Sequence, residues 1–179
     1  MRKLQHNEIL AERLTNEQAK LAQRHPVTVM LTNVRSLYNV GSIFRTCDSA
    51  LVHEIILCGF TPHPPRKEIE KTALGAVDTV PWRYFKNAHD AIDTLRAEGL
   101  NIFAVEIAEN SRTYTSLTAA DFPCCLVLGN ELTGIDDDVM SRCNSAIEIP
   151  MYGVKHSLNV AVAAGIVIFE AVNAFNRLV

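Results

Sequence analysis

The chain carries no excess of positive charge: 17 Lys and Arg residues face 20 Asp and Glu, for a net charge of −3. No global basic field therefore announces a nucleic-acid partner, and any such partner must be met by a local patch. Proline and glycine are few, at 7 and 8 residues, and 48% of the chain is hydrophobic; that balance excludes a disordered chain. Cys-x-x-Cys spacing is missing. The five cysteines, Cys47, Cys58, Cys124, Cys125 and Cys143, are odd in number and mostly sit beside apolar residues, the pattern of reduced, buried thiols in a cytoplasmic protein. The six histidines are scattered without ligand spacing, so no metal site is expected. The first eight residues, Met-Arg-Lys-Leu-Gln-His-Asn-Glu, contain no apolar h-region, and no signal peptide is expected. The apolar run at residues 160–169 is ended by Glu170. It falls well short of the ~20 residues a bilayer requires, so no membrane partner is expected either. No Gly-x-Gly-x-x-Gly follows the first expected strand, and no Gly-x-x-x-x-Gly-Lys-Ser/Thr occurs anywhere. The ordinary dinucleotide-binding and P-loop readings lose their main support.

What is present points to one domain of 179 residues organised around its last helix. No polar side chain interrupts residues 160–169, which predicts a helix buried nearly all round, with the rest packed around it. Ahead of it, a short apolar strand at 146–149 is cut off by Pro150, which cannot donate to a sheet ladder. Residues 151–156 then form a bend in which Gly153 is free to take positive φ. Ser157 is an N-cap type and is expected to open the helix, which should run close to Leu178.

In chain order, residues 5–24 read as one helix with a thin apolar stripe, stopped by Pro26. Strands are expected at 27–31, 54–58, 101–105 and 124–128, and a further one near 77–80. Helices are expected at 40–52, capped by Asn39, at 68–74 and at 88–98, and Asp136-Asp-Asp-Val-Met140 is expected to start another. The segment Thr61-Pro-His-Pro-Pro-Arg-Lys67 reads as a proline-rich surface loop. Short buried strands alternating with helices imply an α/β fold with a mostly parallel sheet and helices on both faces. Ligands of such sheets sit in loops beyond the carboxyl ends of the strands. Three loops qualify on polarity: 33–41, 129–134 and 150–157.

Within those loops several side chains could carry chemistry. In the helix from Val40, the residues Val40, Ile43, Phe44, Cys47, Ala50 and Leu51 form one apolar stripe, and Arg45 lies roughly opposite it. Arg45 is then either a solvated arginine paired with Asp48 or a planar donor offered to an anion or a second subunit. Asn39 and Ser157 could be helix caps and no more, and Glu131 could be merely solvated.

Three stretches taken together resemble, in order, the three motifs of the SpoU or TrmH family of SPOUT methyltransferases. They are Asn39-Val-Gly-Ser-Ile-Phe-Arg-Thr46, Leu126-Val-Leu-Gly-Asn-Glu-Leu-Thr-Gly134 and Ile149-Pro-Met-Tyr-Gly-Val-Lys-His-Ser-Leu-Asn-Val160. The resemblance spans roughly residues 27–175. It implies a C-terminal trefoil knot, a rare exception to the rule against knotted chains. It further implies a homodimer with active sites at the subunit interface, and transfer of methyl from S-adenosylmethionine to a ribose 2′-hydroxyl of tRNA or rRNA. Residues 1–25 would be an N-terminal helical extension and 26–179 the methyltransferase domain. The longer basic extensions of TrmH-type tRNA enzymes are replaced by the thin helix before Pro26.

On the same resemblance Arg45 addresses the ribose hydroxyl or its adjacent phosphate. Because a guanidinium stays charged in proteins, it would position the ribose-phosphate and stabilise developing alkoxide rather than act as a simple base. Asn39 and Glu131 would order the loops and hold Arg45, and Ser157 and Asn159 would complete the pocket. The cofactor contacts fall on Val105, Gly129, Ile149, Met151 and Leu158, largely through the main chain. The competing reading is a non-catalytic knotted dimer that binds RNA or S-adenosylmethionine as a scaffold or assembly factor. Such a relative need not keep Arg45.

Overall fold

Residues 27–32 of the first strand are all buried. A strand without a solvent face has to lie inside a sheet covered on both sides. That is the architecture of the computed structural model, which describes residues 1–177. The strands are β1 (His25–Thr32), β2 (Val52–Cys58), β3 (Trp82–Phe85), β4 (Asn101–Val105), β5 (Arg112–Thr113), β6 (Cys124–Leu128) and β7 (Ser145–Glu148). They form one sheet in the order β3-β2-β1-β6-β4-β7-β5, and every pairing is parallel. The helices are α1 (His6–Ala11), α2 (Asn16–Leu21), α3 (Leu37–Ser49), α4 (Lys67–Ala73), α5 (Ala88–Ala97), α6 (Asp137–Met140) and α7 (Val160–Asn176).

Alternation along β1 divides the core in two. Val27, Val29 and Leu31 pack with Val40, Ile43, Phe44 and Cys47 of α3 and with Ala164, Val167 and Ile168 of α7. Met30 faces the other way, toward Ile92 and Leu95 of α5. Fully burying such a side chain is worth about 1.5–3 kcal/mol, so these two layers carry the fold. The cysteines behave as small apolar groups: all five are free, and burial pushes the Cys58 and Cys124 thiols up to about 12.

Several expected boundaries move, each for a local reason. Residues 5–24 form two short helices, because the Thr15 hydroxyl accepts from the Gln18 N–H and the Thr15 N–H donates to Gln18 Oε1 in return, restarting the helix. In α1 and α2 only Ala19 is buried. Arg24 ties this segment down by donating to Val52 O at 3.0 Å and Thr79 O at 2.6 Å. The strand expected near 77–80 is a 3-10 turn at Ala76–Asp78 that follows Gly75 with φ of 90°. The edge strand is instead Trp82–Phe85, paired with β2.

Helix α3 begins three residues earlier than expected, capped by Ser36, whose hydroxyl accepts from the Asn39 N–H at 3.3 Å. The cap of α7 falls on Asn159 instead of Ser157, and its side chain accepts from the Ala161 N–H. The helix ends at Asn176; the expected continuation toward Leu178 lies outside the described residues. Nor is α7 buried all round. Val162 is 52% and Phe169 45% exposed, so an outward apolar stripe remains in a single chain.

Helix α3 lies unusually close to α4. A Cβ on Gly41 would collide with Ile69 O and Thr72 Oγ1, and Thr72 Oγ1 donates to Tyr38 O at 3.0 Å. Even one methyl must therefore push the helices apart. Gly41→Ala is expected to cost about 1–3 kcal/mol, as overpacking does, and to lower the urea midpoint without changing the slope. An unchanged midpoint would mean that the contact relaxes freely.

Candidate active site

In an all-parallel sheet the loops after each strand emerge on one edge. The loops after β1, β6 and β7 meet there. The loop after β6 is closed by its own backbone: Asn130 N donates to Gly134 O at 2.8 Å and Gly134 N to Asn130 O at 2.9 Å. Asn130 Oδ1 accepts from Leu132 N and Thr133 N, and Asn130 Nδ2 donates to Asn33 O at 2.8 Å. A side chain on Gly129 would strike the Gly134 backbone, so this position demands glycine for close approach. The positive φ, 70°, belongs to Gly134. Gly153 departs from expectation: it is not among the positive-φ glycines and has open space where a Cβ would stand.

This tight turn presents Glu131 to the start of α3. Its carboxylate accepts from Arg35 N at 2.9 Å, Ser36 N at 3.0 Å and Asn39 Nδ2 at 3.0 Å. With Ser36 serving as the cap, the Asn39 side chain is left free for this role. Asn39 Oδ1 in turn accepts from Asn159 Nδ2 at 3.2 Å. Three loops far apart in sequence are thus joined by one hydrogen-bonded chain, Glu131–Asn39–Asn159. Burial pushes the Glu131 carboxyl up, but the N–H donors of Arg35 and Ser36 and the Asn39 amide outweigh it. The net shift is below the ordinary carboxylate value.

Beside this chain opens a cavity of about 700 Å³, lined among others by Val105, Gly129, Glu131, Ile149, Met151, Ser157 and Leu158. All five residues expected to hold a cofactor therefore border one space. Asn39 and Asn159 lie outside the lining, joined to it through Glu131. Arg45 is not brought to the cavity in the single chain. It is exposed on α3, and among the described residues no carboxylate pairs with it. The alternative pairing with Asp48 is absent among the described residues, and Asp48 Oδ1 accepts from Thr79 Oγ1 at 2.5 Å.

Sequence reasoning missed Glu106 and Glu148, which also line the cavity. Their signal was position: each stands at the carboxyl end of a strand, Glu106 after β4 and Glu148 closing β7. With Glu131 and Asp137 they make the lining acidic, and among the described residues no Lys or Arg borders it. Among the described residues no group of three His, Cys, Asp or Glu is placed to hold a metal ion, and no helix is long and apolar enough to cross a membrane.

A parallel α/β domain with an acidic cavity at its carboxyl edge, closed by three hydrogen-bonded loops, defines a class of ligand-binding protein, and comparison with known proteins narrows it. A sequence model of the SpoU rRNA Methylase family matches residues 26–169. The chain belongs to that family. It is 31% identical over 152 residues to the tRNA (guanosine(18)-2'-O)-methyltransferase of Escherichia coli K12, covering 84% of this chain and 65% of that protein. Identity to a Thermus thermophilus protein of the same name is 32%, over 84% of this chain and 77% of the relative. Among solved structures, the AdoMet-bound rRNA methyltransferase from Sinorhizobium meliloti superposes with a TM-score of 0.77 at 34% identity, over 83% of this chain and 56% of that one. The A. aeolicus TrmH/SpoU tRNA modifying enzyme gives 0.79 at 28% identity, over 89% and 80%. The chain thus spans about two-thirds or less of the length of the E. coli and S. meliloti relatives.

The Glu131 clamp makes a pH-dependent contribution to stability. A carboxyl whose folded value is depressed stabilises the fold above its unfolded value of about 4.3 and loses that contribution as pH falls through the folded value. Glu131→Gln is therefore expected to be less stable than the parent at neutral pH. The gap should narrow progressively below about pH 4. Urea midpoints measured across that range check this, and a gap independent of pH would rule the clamp out as the cause.

Proposed function

We propose that the chain is an S-adenosylmethionine-dependent methyltransferase acting on a ribose 2′-hydroxyl of tRNA or rRNA. It works as a cytoplasmic homodimer whose C-terminal segment is threaded as a trefoil knot. The observation that carries this reading is the Glu131–Asn39–Asn159 chain at the edge of a cavity bordered by Val105, Gly129, Ile149, Met151 and Leu158. The names of the E. coli and T. thermophilus relatives support a tRNA substrate, and that of the S. meliloti structure supports rRNA and the same cofactor.

The donor set of the cavity fits that cofactor. Its walls offer carboxylates from Glu106, Glu131, Asp137 and Glu148 and, among the described residues, no Lys or Arg, which favours a cationic ligand over a phosphorylated one. When bound, S-adenosylmethionine supplies an electrophilic methyl group carried on a sulfonium. Apolar Val105, Leu128, Ile149 and Leu158 exclude water from one side, while the Gly129–Gly134 turn leaves backbone groups open to a ligand.

A ribose hydroxyl is a poor nucleophile, so the remaining residues have to align it and favour loss of its proton. Arg45 has the planar donor fork suited to a ribose-phosphate and to developing alkoxide. Being absent from its own cavity lining, it would be delivered by a second copy. The outward stripe of α7 supports that association. Val162, Gly165, Ile166 and Phe169 follow the spacing of one helix face, with Val162 and Phe169 about half exposed. Ser157, exposed at the cavity edge, completes the pocket, and Asn159 supports it through Asn39 and Glu131.

Transfer of labelled methyl to RNA tests the reading, with dimer mass measured in parallel by sedimentation, expected near twice 19.8 kDa. Arg45→Ala should abolish transfer while cofactor affinity and the dimer stay intact, and its stability should change by no more than about 0.5 kcal/mol before any interface effect. Arg45→Lys should restore only a small part of the rate, because lysine keeps the charge but not the fork. Full activity in a folded Arg45→Ala dimer, or an active monomer, would overturn the assignment.

A further inference from the structure

Three rings stand exposed at the same edge of the sheet, on elements the proposed chemistry does not use. Phe60 is 61% and Tyr84 42% exposed, and His63 is exposed as well. His63 and Tyr84 form a pair, with His63 also stacked on Trp82 at 6.0 Å, and Phe60 adjoins the pair through the backbone of Gly59. The His63 and Tyr84 ring centroids lie 4.8 Å apart, and the Tyr84 hydroxyl donates to Gly59 O at 2.8 Å, next to Phe60. Tyr84 is on the sheet's edge strand, and Phe60 and His63 are on the proline-rich loop after β2.

That loop is not free to drift. Thr61 Oγ1 donates to Leu31 O at 3.2 Å and accepts from Val34 N at 3.1 Å, and Phe60 N donates to Asn33 Oδ1 at 3.3 Å. The next residues, Arg35 and Ser36, are those whose N–H groups Glu131 holds. Ring cluster and cavity mouth therefore share one hydrogen-bonded frame.

Charge singles out the same place. Arg35, Arg66 and Lys86 are exposed, and among the described residues none of them has a carboxylate within salt-bridge distance. Arg83, beside Tyr84, is by contrast fully engaged by Glu54 and Glu98. The acids of α4, Glu68 and Glu70, sit in that helix's own first turn, where its dipole favours them. Arg66 follows His63 by three residues and Lys86 follows Tyr84 by two, so cations adjoin the rings in a chain of net charge −3, while Asp90, Asp136 and Asp138 line the neighbouring pocket with Lys86.

We propose that Phe60, His63 and Tyr84, with Arg35, Arg66 and Lys86, dock a single-stranded segment of the substrate RNA flanking the ribose presented to the cavity. Bases stack on the rings, since every base has a π-face, and phosphates meet the cations. A duplex keeps its bases stacked on one another and cannot use the rings in this way. The identification of that RNA as substrate rests on the methyltransferase reading; the binding surface does not.

Fluorescence anisotropy of the full chain with a short single-stranded oligoribonucleotide tests it, with a duplex of equal length as comparison. Phe60→Ala and Tyr84→Leu are each expected to weaken single-strand binding about tenfold, within the range of one lost base stack. Arg66→Ala should lower the slope of log affinity against log salt by about 0.7, one phosphate contact on a single strand. Calorimetry with S-adenosylmethionine should show unchanged cofactor affinity in all three, and circular dichroism an unchanged fold. The inference is overturned if folded variants bind the single strand as tightly as the parent, or if the duplex binds equally well. Should the parent transfer methyl to RNA while the variants match it in both assays, the docking surface falls and the enzymatic reading stands. Should the parent bind the single strand through these residues yet transfer no methyl, the reverse holds. No binding by the parent would sink the docking surface.

Discussion

The Glu131 carboxylate is the constraint on which the carboxyl edge of the sheet depends. One charged group satisfies two backbone N–H groups at the entry to α3 and the amide of Asn39. Hydrogen bonds to a charged acceptor are roughly twice as strong as neutral ones, and here they substitute for the intrahelical acceptors that a helix start lacks. The loop after β6 is thereby fixed to the loop after β1. Asn39, held from one side, can offer its oxygen to Asn159 on the other, and so the cap of α7 is set by the same group. Removing the carboxylate would free three loops at once, although none of the residues involved lies in the hydrophobic core.

The cavity follows from that clamp and from the sheet. Parallel strands end together, so the residues just beyond them converge whatever their distance in sequence. Glu106 follows β4 and Glu148 closes its neighbour β7, and both border the same cavity as Glu131. Mutual repulsion of that kind is tolerable where water enters or where a cation is expected. An acidic wall inside a domain whose relatives act on polyanionic RNA is informative for this reason. Such a wall disfavours a polyanion inside the cavity and suits a cationic ligand there.

How far the sequence could be read differs from element to element. Strands β4 and β6 and helix α5 fall where continuous burial, or a clear 3.6-residue stripe ended by Gly99, places them. Helix starts were less legible. Ser36 and Asn39 can both cap, as can Ser157 and Asn159, and only tertiary partners decide: Asn39 is claimed by Glu131 and Asn159, so Ser36 takes the cap. The break in the first helix was readable from Thr15 and Gln18, a reciprocal capping pair. The edge strand was missed because Val77, Thr79 and Val80 mimic a strand, whereas Trp82–Phe85 is short and is aromatic at three of its four positions, a composition that suits a strand. What no local pattern could supply was the Glu131–Asn39–Asn159 chain, whose members are separated by 92 and 120 residues. The three motifs named its members through family resemblance, while their hydrogen bonds emerged only from the fold.

The single chain is well packed and yet leaves two kinds of surface without a partner of its own. On α7, Val162 and Phe169 remain about half exposed along a face that neighbouring helices do not cover. On α3, Arg45 stands clear of any carboxylate among the described residues and of its own cavity. These observations constrain one another. Arg45 occupies the outer face of α3 and is absent from the lining of its own cavity, and under the proposed function a second copy would carry it there. The apolar stripe of α7 lies on a helix that packs directly against α3, and a copy seated on that stripe would bring its own α3 close to the first chain's loops. On the proposed dimer, association and chemistry would become a single requirement, with cover for the stripe also placing the guanidinium.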